Sequence, residues 1–159
     1  MTTTALTLDE IYTLAKKTLL HNGCDEMNAE AVSNTVTFAE RDGSVSHGLF
    51  RIPGYTASLR SKKVKGNARP SNKFLTQNTM RVDGDFGFAP TAIHVGMPSL
   101  IETANKYGVG VLTITNTHHF AALWHETEAL AEQNLIGIAC TAYMPSVAPA
   151  GATKPLFGT

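Results

Sequence analysis

The sequence predicts a mixed α/β chain: a helical N-terminal part, residues 1–65, followed by the start of a sheet domain, residues 73–159. Three observations predict it. Apolar residues recur at helical spacing, with capping signals, from Leu8 to Leu59. A polar connector with glycine and proline, Lys62 to Ser71, interrupts that pattern. Beyond it, two β-branched runs, Val109–Thr115 and Ile136–Tyr143, flank a helical stretch. A chain of 159 residues is long enough for one full-sized core.

Thr7-Leu8-Asp9-Glu10 reads as a capping box, with Thr7 as N-cap and Glu10 three residues on. Leu8, Ile11, Leu14, Ala15, Thr18 and Leu19 then keep a helical period, and Gly23 stops it. A second helix is expected from about Asp25 to Arg41, burying Ala29, Val32, Val36 and Ala39. Leu49, Ile52, Tyr55 and Leu59 predict a third, with Pro53 early in it, where the missing N–H costs little. Lys73 to Val82 reads as strands with a turn near Gln77-Asn78. Pro90 suits a first helical position. Ile93, Met97, Leu100, Ile101 and Ala104 predict a helix closed by Gly108. Ala122 to Asn134 reads as a helix with Leu123, Thr127, Leu130 and Ala131 inward, and Ile136 to Tyr143 as a buried strand. Val109 to Tyr143 thus has the form of a βαβ unit. A dinucleotide fingerprint is missing: Gly108-Val109-Gly110 precedes its strand, and no G-x-G-x-x-G occurs.

Thirteen basic and thirteen acidic residues give a formal net charge of zero, so no global field draws the chain to nucleic acid or to an anionic membrane. Lys62-Lys63-Val64-Lys65 is read as a solvated loop. No apolar run is long enough to span a bilayer, and Met1 to Leu6 has neither the basic start nor the apolar core of a signal peptide. Cys24 and Cys140 are far apart and outside any Cys-x-x-Cys pair, the pattern of reduced thiols in a cytoplasmic protein.

One stretch, Arg41-Asp42-Gly43-Ser44-Val45-Ser46-His47-Gly48-Leu49-Phe50-Arg51-Ile52-Pro53-Gly54-Tyr55, concentrates polar chemistry. Imidazole exchanges protons near neutral pH, and the planar guanidinium of Arg51 suits a carboxylate. If the backbone is helical there, His47 and Arg51 leave one face. The plainer reading is a helix end, a turn and a new helix start. A nucleophilic Ser46–His47 pair lacks the G-x-S-x-G elbow. A metal site is not expected: His125-Glu126 is followed by Ala129, so no His-Glu-x-x-His motif forms, and His118 and His119 point different ways on extended backbone. His21 and His94 fall on predicted helices and are read as structural.

Ser46-His47-Gly48 resembles the signature of the malate/L-lactate dehydrogenase family, whose members lack the usual Rossmann domain. The residues around it, Arg41-Asp42-Gly43-Ser44 and Leu49-Phe50-Arg51-Ile52-Pro53-Gly54-Tyr55, are similar to those of the Δ1-piperideine/Δ1-pyrroline-2-carboxylate reductase branch. His118-His119-Phe120-Ala121-Ala122-Leu123-Trp124 and Pro155-Leu156-Phe157-Gly158-Thr159 agree with it. The resemblance runs from about Leu8 to Thr159 and covers about the first half of a family member.

The resemblance implies a non-Rossmann sheet that binds a nicotinamide cofactor, NADPH with NADH as the alternative. It implies Ser46 and His47 as a proton relay with an aspartate that falls beyond Thr159. Arg51, Tyr55 and Thr159 would meet the substrate; His119, Phe120, Ala121, Ala122 and Leu123 would meet the cofactor. The implied reaction is reduction of a cyclic imino acid, Δ1-piperideine-2-carboxylate to L-pipecolate or Δ1-pyrroline-2-carboxylate to L-proline. A 2-hydroxy-acid dehydrogenase acting on malate, L-lactate or ureidoglycolate is the alternative, and an inactive fragment a third reading. The partners implied are a small imino or 2-oxo acid and a second copy in a homodimer. With the aspartate and later strands outside the chain, residues 1–159 alone are expected to be inactive.

Overall fold

The computed structural model describes residues 4–158. Its order is three helices, a strand hairpin, a long helix, a third strand and a short helix.

Helix α1, Leu8–His21, starts at the expected capping box: Thr7 Oγ1 accepts the Glu10 amide and the Glu10 carboxylate accepts the Thr7 amide. Ile11, Ala15 and Leu19 are buried, whereas Leu8 and Leu14 stay exposed. Only one narrow face of α1 meets α2, so the predicted stripe was too wide. Helix α2, Glu26–Arg41, is capped by the Asp25 carboxylate on the Asn28 amide at 3.1 Å and buries all four predicted residues. Two single 3-10 turns, Val45–His47 and Leu49–Arg51, lead into α3, Ile52–Arg60, with Pro53 in its first turn.

Leu19, Val32, Val36, Tyr55, Leu59 and Phe88 anchor one apolar cluster. Each large aliphatic or aromatic side chain removed from water there contributes roughly 1.5–3 kcal/mol. Phe88 reaches this cluster from just before α4, and Val64 and Ala68 are buried from within the Lys62–Ser71 connector. The helices and the sheet thus share packing across the connector.

Strands β1, Ser71–Phe74, and β2, Thr79–Asp83, form the antiparallel hairpin. Helix α4, Ala89–Tyr107, crosses to β3, Val111–Thr115, which pairs with β2 in parallel, giving the order β1-β2-β3. The strand–helix–strand crossover is therefore β2–α4–β3, not the predicted unit from Val109 to Tyr143. Gly108 closes α4 at φ +78, a left-handed position that glycine takes without penalty. The helix approaches the sheet through small residues: a Cβ on Gly96 would lie 2.8 Å from Leu112 Cδ2. The predicted face of Ile93, Met97, Leu100, Ile101 and Ala104 is only half-buried, because Ala92, Gly96 and Thr103 make the tightest contact.

Helix α5 is Trp124–Ala131, shorter than the predicted 122–134, and of its expected inward residues only Leu130 is buried. The predicted strand Ile136–Tyr143 is not formed. Ile136 is 98% exposed and Ile138 92% exposed. A β-run needs a ladder partner to become a strand, and none lies beside residues 136–143 among the described residues. No helix among the described residues is long and apolar enough to cross a membrane.

Candidate active site

The first half of the site is a tight return at the end of α2. Gly43 takes φ +70 and releases the chain from the helix. The Glu40 carboxylate then accepts the Leu49 amide at 2.7 Å, folding the Ser46–His47 turn back toward α2. A side chain at position 48 would run into that carboxylate: a Cβ there would sit 2.1 Å from Glu40 Oε1.

Two hydroxyls converge on His47 Nδ1, Ser46 Oγ at 3.0 Å and Ser44 Oγ at 3.2 Å. Ser46 was anticipated from sequence; Ser44, three residues before His47, was not. The Nε2 atom of His47 has no partner among the described residues, so it is the nitrogen left for a ligand. Burial, then the Arg51 charge, lowers the His47 pKa from its ordinary value.

Arg51 reaches His47 by a different route from the helical one expected. Gly48 separates two 3-10 turns, and Arg51 Nε donates to the Ser46 carbonyl at 2.6 Å, folding the guanidinium over the Ser46–His47 turn. No acidic side chain pairs with Arg51 among the described residues. Its charge is free for a ligand.

The second half comes from the loop after β3. The His118 amide donates to Gly87 O at 2.8 Å, and His118 O accepts from Ala89, tying the loop to the start of α4. His119 and Ala121 take φ +49 and +67, left-handed values unusual for residues with a Cβ. Both rings reach α3, one turn apart. His118 Nε2 lies 3.2 Å from Ser58 Oγ, and His119 Nδ1 lies 3.0 Å from the Tyr55 hydroxyl. The Ala121 amide donates to the same Nδ1 at 3.1 Å.

Tyr55 is 4% exposed, edge-on to Phe88 with ring centroids 5.0 Å apart. Burial pushes its phenol up to about 12 despite Arg51. Its hydroxyl is directed at His119 Nδ1. Burial, then the charges of Arg51, His118 and His47, take His119 down to about 4. No carboxylate raises the pKa of His47, His118 or His119. The Arg51 guanidinium beside these rings, with no salt-bridge partner among the described residues, is a setting for an anionic ligand.

A clamp that the sequence did not reveal joins the two halves. Arg41 Nη2 donates to both Glu128 oxygens at 2.7 and 2.8 Å, and Trp124 Nε1 donates to Asp42 Oδ2 at 2.8 Å. Arg41, then Trp124, holds the Asp42 carboxyl at about 2. The Trp124 ring meets His47 edge-on, centroids 6.0 Å apart. Partners 82 and 87 residues apart carry no pattern in a single sequence.

For a nicotinamide cofactor the decisive feature is free donors. The amides of Phe120, Ala122 and Leu123 meet no acceptor among the described residues, nor do those of Trp124 and His125 at the start of α5. Ala122 is buried beneath them. These groups fit a polar or anionic portion of such a cofactor. Thr159 lies outside the described residues. No group of three or more His, Cys, Asp or Glu that could hold a metal ion occurs among the described residues.

Residues 6–159 match the malate/L-lactate dehydrogenase family. The chain belongs to that family. Its similarity to Δ1-pyrroline-2-carboxylate reductase of Ancylobacter novellus is 42% identity, over 97% of this chain and 45% of the relative. The crystal structure of Δ1-piperideine-2-carboxylate reductase from Pseudomonas syringae superposes at TM-score 0.87 with 36% identity, covering 98% of this chain and 47% of that one. Sulfolactate dehydrogenase from Methanocaldococcus jannaschii superposes at TM-score 0.87 with 28% identity, covering 97% and 45%. The chain therefore spans about half the length of these family members.

Proposed function

We propose that the chain supplies the substrate-side part of an NADPH-dependent reductase of cyclic imino acids, acting on Δ1-piperideine-2-carboxylate or Δ1-pyrroline-2-carboxylate. The observation that carries this reading is the convergence of unpaired Arg51, hydroxyl-held His47 and His119 in one cluster. A cyclic imino acid carries a carboxylate next to a C=N nitrogen. Arg51 takes the carboxylate through its planar fork. His47 Nε2 faces the ring nitrogen and holds a proton there, which makes the imine carbon electrophilic. Ser46 and Ser44 fix the His47 ring from Nδ1.

The bound cofactor supplies the hydride. The loop from His119 to Leu123 orients it with its free amides, and NADH is the alternative carrier. A second copy of the chain as partner belongs to the same proposal; Val45 and Phe50, 63% and 74% exposed beside the His47 turn, offer it an apolar surface.

Similarity to sulfolactate dehydrogenase keeps a second reading open, oxidation at C–OH or reduction at C=O. One panel separates the two. A version extended to the length of its relatives is offered piperideine-2-carboxylate, pyrroline-2-carboxylate, pyruvate, oxaloacetate and sulfopyruvate with NADPH and with NADH. Fastest turnover of an imino acid with NADPH is expected. Preference for a 2-oxo acid overturns the imino-acid reading while leaving the Arg51 role intact.

A further inference from the structure

We propose that Tyr55 is a positioning residue: with the Ala121 amide, its hydroxyl holds His119 as the neutral imidazole protonated on Nε2. His119 is then a fixed hydrogen-bond donor and not a source of protons. The inference rests on the reductase reading only for what that donor meets, the substrate or the nicotinamide.

The argument begins at Nδ1. The Ala121 amide can only donate, and it points at Nδ1 from 3.1 Å. A ring nitrogen that accepts an N–H has no proton of its own, so the proton is on Nε2. The Tyr55 hydroxyl, 3.0 Å from the same atom, then also donates. Protonating His119 at Nδ1 would set an N–H against the Ala121 N–H and force the phenol to turn from donor to acceptor.

The loop cannot easily turn away. The left-handed backbone at His119 and Ala121 is what folds the amide onto the ring of its own loop, and such backbone persists only where its surroundings hold it. Those surroundings are present: His118 is tied to Gly87 and Ala89 through the backbone and to Ser58 by its ring. Tyr55 is locked in the core against Phe88. The charged and titratable groups facing His119 are Arg51, His118 and His47, and all three disfavour an imidazolium. The family likeness offers Tyr55 only as a substrate contact; its hold on His119 comes from the geometry.

The test reads the ring directly. Two-bond 1H–15N correlation spectra of protein labelled with 15N-histidine distinguish the two neutral forms from imidazolium. The His119 signals are assigned by their loss in His119→Gln. Expected for His119 are a bare Nδ1 and a protonated Nε2, unchanged from pH 8 down to about pH 5.5, roughly one unit below an ordinary histidine, with the titration then carried to lower pH until the midpoint is reached. In Tyr55→Phe the His119 midpoint should rise by about one pH unit, with part of the proton moving to Nδ1 while His118 keeps its pattern. Incorporation of 3-fluorotyrosine at position 55 keeps the ring and strengthens the donor, so the midpoint should fall. A proton on Nδ1 in the unsubstituted protein, or a midpoint near 6.5, overturns the assignment of His119. Spectra indifferent to both changes at position 55 overturn the role of Tyr55. Neither readout uses turnover, so a failed reductase assignment is distinguishable from a failed tautomer.

Discussion

Gly48→Ala should damage the site through Glu40, and the structure fixes the size of the effect. Gly48 links the two 3-10 turns with φ −85 and ψ −140. The obstacle is the carboxylate: the new Cβ would lie 2.1 Å from Glu40 Oε1, 2.4 Å from Cδ and 2.7 Å from Cγ. Glu40 must swing out, and the 2.7 Å bond from the Leu49 amide is lost. A hydrogen bond to a charged group is worth roughly 1.5–3 kcal/mol. The loss through Glu40 is about 1.5–3 kcal/mol. Glu40→Ala alone loses the same bond and opens the space, so adding Gly48→Ala to it should cost less by that amount. Urea unfolding of the four proteins closes the cycle with a coupling of about 1.5–3 kcal/mol. Equal destabilisation by Gly48→Ala with and without Glu40 would refute the reasoning.

Three further outcomes are expected. His47→Ala in a version extended to the relatives' length should lower imino-acid turnover by about two to four decades; near-normal turnover removes His47 from proton transfer. Arg51→Lys should raise the substrate KM with a smaller effect on kcat, since lysine keeps the charge and loses the fork; a fall in cofactor affinity alone would move Arg51 to the cofactor. Glu126, raised by burial from 4.5 to about 7, should make the fold less stable as pH rises. Between those values the unfolded carboxyl ionises while the folded one keeps its proton, so stability is fully present below about pH 4.5 and falls by about 3 kcal/mol up to about pH 7. Glu126→Gln should flatten urea midpoints measured from pH 5 to pH 8, and an unchanged slope would place the effect elsewhere.

Local signals carried most of what the sequence revealed. Thr7 and Glu10, Asp25, Pro53, Pro90 and Gly108 each mark a helix end through a bond or a backbone angle set by their own neighbourhood. The four buried residues of α2 follow from period alone. Ile136 to Tyr143 shows the limit: β-propensity names a run fit for a sheet, but only a ladder partner makes it a strand. At the site, Ser46, His47 and Arg51 were legible because they are close in the chain, though a 3-10 break at Gly48 replaced the expected helix. The Tyr55–His119, Asp42–Trp124 and Arg41–Glu128 contacts were not, since each joins residues 64 to 87 positions apart.

The two histidines nearest Arg51 differ in one respect that decides what each can do. His47 Nδ1 is met by hydroxyls, and a hydroxyl can donate or accept. When His47 is neutral at Nδ1, Ser46 or Ser44 donates to it; when Nδ1 carries a proton, the same oxygens accept. Its protonation state can change with no bond lost. His119 Nδ1 is met by the Tyr55 hydroxyl and also by an amide that can only donate. Any proton arriving there breaks a contact that two left-handed residues are bent to make. Arg51 lowers the pKa of both rings, so charge alone does not separate them. The partners at Nδ1 do: the hydroxyl-held ring is equipped to cycle a proton during turnover, and the amide-held ring to stand still and donate a hydrogen bond.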